Sequence, residues 1–212
     1  MRFWLRRGTA LMEYVTDIGA LEAIYGEVGS ASIHKVAMEL TPAYRTWIMA
    51  SRFCVVSTVG SSGTDGSPRG DNGPVVRVLD NQTLAMPDWR GNNRIDTLRN
   101  IVADGRILLM FMVPGCNNVV RVNGVARVTL DQELCQSFEV RGRHPRSVIV
   151  IKVGEIYAQC ARALLRAEVW SGHEDCSKLP SFGKILAEQT EGAEGGQSYD
   201  DAWAARAAKT MW

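Results

Sequence analysis

Two short stretches of this 212-residue sequence carry residue types suited to capturing an anion. The first is Asp65-Gly66-Ser67-Pro68-Arg69-Gly70-Asp71, with a proline before an arginine and a glycine after it. Pro68 fixes the backbone ahead of Arg69, and Gly70 lets another group approach the main chain closely. A guanidinium presented this way can take a phosphate through two parallel hydrogen bonds. The competing reading is a solvated loop in which Arg69 pairs with Asp71. The second stretch, Pro87-Asp88-Trp89-Arg90-Gly91-Asn92-Asn93-Arg94, joins a strand end to the start of a helix. With Asn92 or Asn93 as its cap, that helix presents free N–H groups and a positive dipole end beside Arg94, a second anion-binding element. Taken alone, simple capping accounts for the asparagines. Two arginine-bearing loops at the ends of adjacent strands point to a phosphate-bearing ligand more strongly than either does separately.

Little else in the chain offers chemistry. His34, His144 and His173 lie outside the strand-rich region without a motif around them, and each reads as a surface residue. No GxSxG, HExxH, Walker A or Rossmann glycine pattern is present. The five cysteines (Cys54, Cys116, Cys135, Cys160 and Cys176) are odd in number and form no CxxC pair. They read as reduced thiols of a cytoplasmic protein, with neither a disulfide framework nor a metal site. Cys160 is either a reactive thiol or, as is commoner for a free cysteine, a small buried hydrophobe. An anion site with no evident protein nucleophile points to a cofactor that carries the chemistry. No catalytic side chain is assigned.

The elements that must position these stretches follow from charge and periodicity. Lys and Arg number 24 against 23 Asp and Glu, a net charge of +1. That balance argues against a polyanion as partner, since nucleic-acid-binding domains usually have a pI above ~9. No run of ~18 uncharged apolar residues occurs, so no membrane-spanning helix is expected. Glu13 and Asp17 interrupt the apolar positions of the N-terminal stretch, which is therefore not read as a secretory signal. Leu11, Tyr14, Val15, Ile18, Leu21 and Ile24 recur at helical spacing, and Thr41-Pro42 opens a second helix. Strands are predicted at about 53–59, 73–79, 83–86, 106–113, 119–130 and 148–153, with a turn-rich stretch at 60–66 and a helix over 92–102. About six strands joined by hairpins, with one inserted helix, suggest a small antiparallel barrel. The expected organisation is a helical extension over 1–50, the barrel over 51–190, and a flexible segment with a terminal helix (Tyr199 to Trp212) over 191–212.

Several motifs, taken in order, carry a family likeness. SPRGD (67–71), VRVLDNQTLAMPD (76–88), RGNNRIDTLRNI (90–101), FMVPG (111–115), RVNGVARV (121–128) and YAQCARALLRAEVW (157–170) together resemble the pyridoxamine 5′-phosphate oxidase-like family of FMN-binding split barrels. The likeness covers roughly 45–190 and is nearest to a branch of FMN-dependent enzymes without an assigned substrate. It implies a mainly β (α+β) fold, a six-stranded antiparallel split β-barrel with flanking helices. It further implies a homodimer with FMN sites in the interface, and an oxidoreductase passing hydride through the flavin to or from a small-molecule substrate. By position, Ser67, Pro68, Arg69, Gly70 and Asp71 would meet the FMN phosphate or ribityl chain, and Met86, Pro87 and Asp88 the flavin edge. Asn92, Asn93 and Arg94 stand where the superfamily often has a Ser-Arg-Lys phosphate-binding turn. Arg121 and Asn123 would face the partner's site, while Gln159, Arg166 and Trp170 would reach the partner's flavin.

The departures from that branch cluster around the pocket. Arg52-Phe53 stands for the usual Pro-Phe, Pro74-Val75-Val76 for Gly-Phe-Val, Arg162 for Lys and Ala167 for Ser. They bear on substrate preference more than on fold. The C-terminal Arg and His that bind substrate in the vitamin B6 oxidase itself have no counterpart here, which argues against that activity. The alternatives implied by the same fold are a non-catalytic flavin binder, or an enzyme using F420 or haem.

Overall fold

The computed structural model describes residues 6–7, 10–12, 14–172 and 176–210. Contacts divide the chain into two units, Met1–Lys35 and Val36–Trp212. In the first, β1 (Arg6–Arg7) pairs with β2 (Ala10–Leu11), followed by α1 (Ile18–Tyr25) and α2 (Ser30–His34). The apolar spacing that begins at Leu11 becomes helical only at Ile18. Asp17 caps α1 there, its carboxylate accepting the Ala20 N–H at 2.7 Å.

The second unit opens with α3 (Pro42–Ala50), capped by Thr41, whose Oγ1 accepts the Tyr44 N–H at 3.3 Å. Seven strands follow: β3 (Phe53–Gly60), β4 (Gly63–Gly70), β5 (Arg77–Asp80), β6 (Thr83–Asp88), β7 (Arg106–Met112), β8 (Val119–Thr129) and β9 (Ser147–Gln159). They form one antiparallel sheet in the order β4-β3-β7-β8-β9-β6-β5. The fold is a mainly β split barrel with flanking helices, of seven strands where the sequence suggests six.

The additional strand is β4. Its sequence, GTDGSPRG, reads as turn and loop because glycine and proline have low strand propensity. Its register with β3 nonetheless runs unbroken from Gly60↔Gly63 to Phe53↔Gly70. Pro68 is admitted because β4 is an edge strand, where half of the N–H groups face away from the sheet. The chain then runs irregularly to Arg77, tied by the Asp71 and Val75 N–H groups to the carbonyls of Arg52 and Ser51, both at 2.9 Å. The strand predicted from residue 73 therefore starts later.

Two long strands turn this sheet into a barrel. β8 pairs with β7 over Val120–Val125 and with β9 along its whole length, shifting register between Asn123 and Gly124. β9 pairs with β6 over Ser147–Lys152 and then runs on past its predicted end to Gln159. Alternate residues of each strand point inward. Val56, Leu84, Leu109, Phe111, Val122, Ile149 and Ile151 are all fully buried and form one core.

The inserted helix α4 (Asp96–Ala103) packs on β3, where Asn100 Nδ2 donates to Thr58 Oγ1 at 3.2 Å between two buried residues. The flanking helices are α5 (Gln132–Ser137), α6 (Arg162–Arg166), α7 (Phe182–Gln189), α8 (Gln197–Asp201) and α9 (Trp203–Thr210). The terminal helix expected over 199–212 is thus two short ones, and Trp212 and His173 lie outside the described residues. Among the described residues no helix is long and apolar enough to cross a membrane.

Candidate functional site

The two loops singled out in the sequence belong to strands far apart in the sheet order, the edge strand β4 and the next-to-last strand β6, rather than to adjacent strands. β4 and β6 are separated by β3, β7, β8 and β9, and they meet because the sheet curls round. Side chains close the seam. Arg69 Nη1 on β4 donates to Asp88 Oδ1 at the end of β6 at 2.9 Å. Beside it, Trp89 Nε1 donates to Asp71 Oδ2 at 2.8 Å. The Arg69–Asp71 pairing considered from sequence is therefore replaced by two cross-seam bonds. Both partners of the ion pair are mostly shielded, with side chains 21% and 18% exposed.

Over the seam lies a cavity of about 810 Å³, within the roughly 300–1,000 Å³ range of small-molecule sites. The end of β4, the end of β6, the 89–95 connection, the first turn of α4, Leu130, Arg146 and Ser147 bound it. It brings together Ser67, Pro68, Arg69, Gly70, Asp71, Met86, Pro87, Asp88, Asn92, Asn93 and Arg94. The other five residues singled out lie elsewhere. The Arg121 guanidinium stands 5.3 Å over the Tyr157 ring. Asn123 donates to Glu155 Oε1 at 2.6 Å and lines a second cavity, of about 620 Å³, with residues of β3, β4 and β7. Gln159 and Arg166 are exposed at the ends of β9 and α6. Trp170 Nε1 donates to the Cys116 carbonyl at 2.9 Å.

The asparagines do not cap the helix. Asn92 Oδ1 accepts the Arg94 N–H at 3.0 Å, making a local turn, and α4 begins at Asp96 with Ile95 at its cap position. Asn93 adopts the left-handed region at φ 63°, which asparagine tolerates better than most residues. Arg94 is 82% exposed and bonds Asp96 Oδ2 at 2.6 Å, which raises the guanidinium pKa further.

Burial sets the electrostatics around Asp88. It pushes this carboxyl above the ordinary range, against the opposing pull of Arg69 and, more weakly, Arg146. Arg69 keeps its Nε buried and without a hydrogen-bond partner among the described residues. A buried donor of this kind, in the wall of a cavity lined by four arginines and four aspartates, suits an incoming anion. Sequence reasoning missed Arg146 and Ser147. Their place in the cavity comes from the β6–β9 pairing, which sets Ser147 opposite Asp88, and nothing in their spacing announces it. Thr97 was missed too; its Oγ1 donates to Asp65 Oδ2 at 2.5 Å on the cavity wall.

Behind Arg69, in register with it on β3, lies Cys54. Burial pushes its thiol up to about 12, only partly offset by Arg69. Cys135 is also buried and raised, whereas Cys116 and Cys160 are exposed. Since the thiolate is the reactive form, alkylation of the folded protein followed by peptide mass spectrometry is expected to find Cys116 and Cys160 modified. Cys54 and Cys135 should react only after unfolding; rapid labelling of Cys54 in the folded chain would contradict this. Among the described residues no group of three or more His, Cys, Asp or Glu could hold a metal ion.

A family sequence profile, that of pyridoxamine 5′-phosphate oxidase, matches residues 40–160. No curated protein matches the chain. Among solved structures it is similar to HupZ of Group A Streptococcus, at 21% identity over 55% of this chain and 91% of that one, with a TM-score of 0.45. General Stress Protein 26 of Bacillus anthracis is 17% identical over 54% of this chain and 88% of that one, with a TM-score of 0.42. The FAD binding protein of Mycobacterium smegmatis is 15% identical over 58% and 97%, with a TM-score of 0.40.

Proposed function

The chain belongs to the pyridoxamine 5′-phosphate oxidase family, and from that premise we propose that it is an FMN-dependent oxidoreductase acting on a small molecule. The observation that carries the reading is the seam cavity with Arg69 in its wall. The cavity has the volume of a cofactor site, and the buried Nε of Arg69 is a donor in need of an acceptor. The residues fit a phosphate-bearing flavin.

In this reading Arg69 binds the phosphate, and Asp88 holds the guanidinium in place through the 2.9 Å bond. The Trp89–Asp71 bond keeps the seam shut beside it. Ser67, Gly70, Asn92, Asn93 and Arg94 supply further polar groups along the wall, while buried Met86 and Pro87 give an apolar surface that excludes water. FMN, when bound, supplies the hydride acceptor or donor. Arg121, Asn123, Gln159, Arg166 and Trp170, which lie off the cavity, would serve the site of a second copy in a homodimer. The barrel over 51–190 would carry the cofactor, in a cytoplasmic protein with reduced thiols.

Incubation of the purified protein with FMN, followed by gel filtration, tests the reading. The protein fraction is expected to retain flavin absorption, to bleach with NADH or NADPH, and to turn over with an electron acceptor. A fraction that emerges colourless overturns it, and a flavin that binds but never cycles makes the chain a carrier instead.

A further inference from the structure

The edge strand β4 is weak by composition: three of its eight residues are glycine and one is proline, and a backbone ladder holds it on one side only. Its alternate residues Asp65, Ser67 and Arg69 are the less exposed ones, and all three line the seam cavity. Side chains on that face supply what the missing ladder does not. Arg69 reaches Asp88 at the end of β6 at 2.9 Å. Four residues earlier, Asp65 Oδ2 accepts the hydroxyl of Thr97, in the first turn of α4, at 2.5 Å.

The Thr97 bond is one half of a clamp. Asp65 pairs with Thr58 of β3 on one rung of the ladder. Asn100, one turn along α4 from Thr97, donates to Thr58 Oγ1 at 3.2 Å. Two side chains of one helix face thus grip both members of one rung. Thr58, Thr97 and Asn100 are only 4%, 4% and 8% exposed, so a lost partner would leave a polar group desolvated and unpaired. The helix lies so close to the hairpin that a Cβ at Gly60 would stand 2.2 Å from Asn100 Oδ1. The two halves differ in place: Thr58 and Asn100 lie off the seam cavity, whereas Asp65 and Thr97 are part of its wall. Asp65 also sits near enough to Arg94, just before α4, to add to the rise of its guanidinium. A carboxylate on this wall opposes an incoming anion by charge; what it offers instead is a fixed hold on the helix.

We propose that Asp65 and Thr97 are positioning residues of the cavity: their bond fixes the edge strand that carries Arg69 against the first turn of α4, and so sets the spacing across which the cofactor is held. This rests on the FMN reading and adds to it the residues that set the width of the site.

Thr97→Val removes the donor and keeps the branched shape. It is expected to weaken FMN binding about threefold to tenfold, read by flavin fluorescence, and Thr97→Ser should return the affinity to within about twofold of wild type. Thr58→Val breaks the other half of the clamp; it is expected to lower the melting temperature while FMN affinity stays within about twofold. Asp65→Ala, on the partly exposed edge strand, should also weaken FMN, although loss of a negative charge by itself would strengthen binding of an anion. Unchanged affinity in Thr97→Val overturns the positioning role and leaves the bond purely structural. So does a loss in Thr58→Val equal to that in Thr97→Val, or a Thr97→Ser variant that binds no better than Thr97→Val. If Thr97→Val does not fold, Asp65→Ala decides: weaker FMN binding upholds the role, and equal or tighter binding overturns it. A wild-type chain that takes up no FMN overturns the functional reading, and the positioning role with it.

Discussion

Replacing Arg69 with alanine is expected to weaken FMN binding by about 10- to 150-fold. A hydrogen bond to a charged group contributes about 1.5–3 kcal/mol, and each 1.4 kcal/mol is roughly a factor of ten. Arg69 is a shielded cation of the cavity, with a buried donor that has no partner among the described residues. The substitution has a second effect through Asp88. Burial already raises that carboxyl, and Arg69 is the main force pulling it back. A carboxyl raised in the folded state binds protons more readily than in the unfolded chain, so it lowers stability as pH rises through the window above its ordinary value of 3.8. Removing Arg69 raises Asp88 further and extends that window upward. Flavin fluorescence titration, paired with a melting curve at the same pH, separates the two effects. Affinity equal to wild type in a folded variant would place the phosphate elsewhere.

Gly124→Ala should be the most damaging single methyl addition in the sheet, costing about 3 kcal/mol or more. A Cβ at Gly124 would stand 2.2 Å from the Lys152 carbonyl oxygen and 3.1 Å from its carbon. Both are backbone atoms, so no side-chain rotation relieves the clash. The position matters because the register of β8 against β9 shifts there, where the long strands bend from one set of neighbours to the other. Gly66→Ala is the control, since a Cβ there meets nothing within 4 Å. Urea denaturation of both variants measures the difference. A cost below about 1 kcal/mol at Gly124 would mean that the bulge opens freely.

What the sequence discloses and what it hides divide along physical lines. Phe53–Val59 and Arg106–Met112 are legible as short β-branched and apolar runs, and in the structure their residues alternate between core and outer face as strands should. Thr41-Pro42 announces α3 by the same local chemistry that caps it. β4 was not legible, because GTDGSPRG has turn chemistry throughout and becomes a strand only by pairing with β3. The asparagines at 92 and 93 have capping chemistry, yet the turn they make delays the helix to Asp96. The two stretches do line one cavity, but what joins them is a bond between residues 19 apart in sequence and on strands separated by four others in the sheet. Arg146 enters through a strand pairing some sixty residues away from Asp88. Local patterns reveal elements and candidate chemistry; partners across a curled sheet have no local signature.

The seam between β4 and β6 has a thermodynamic consequence. Elsewhere the sheet is laced by backbone ladders, but this junction is held by an ion pair and an indole bond. A ligand seated over it would act as a removable rivet, joining two strands that share no backbone ladder. Occupancy and folding are then linked by mass action: free ligand at a hundred times its dissociation constant adds about 2.7 kcal/mol to stability. The cell's supply of that ligand would thus set how long the folded chain lasts, as well as whether it works.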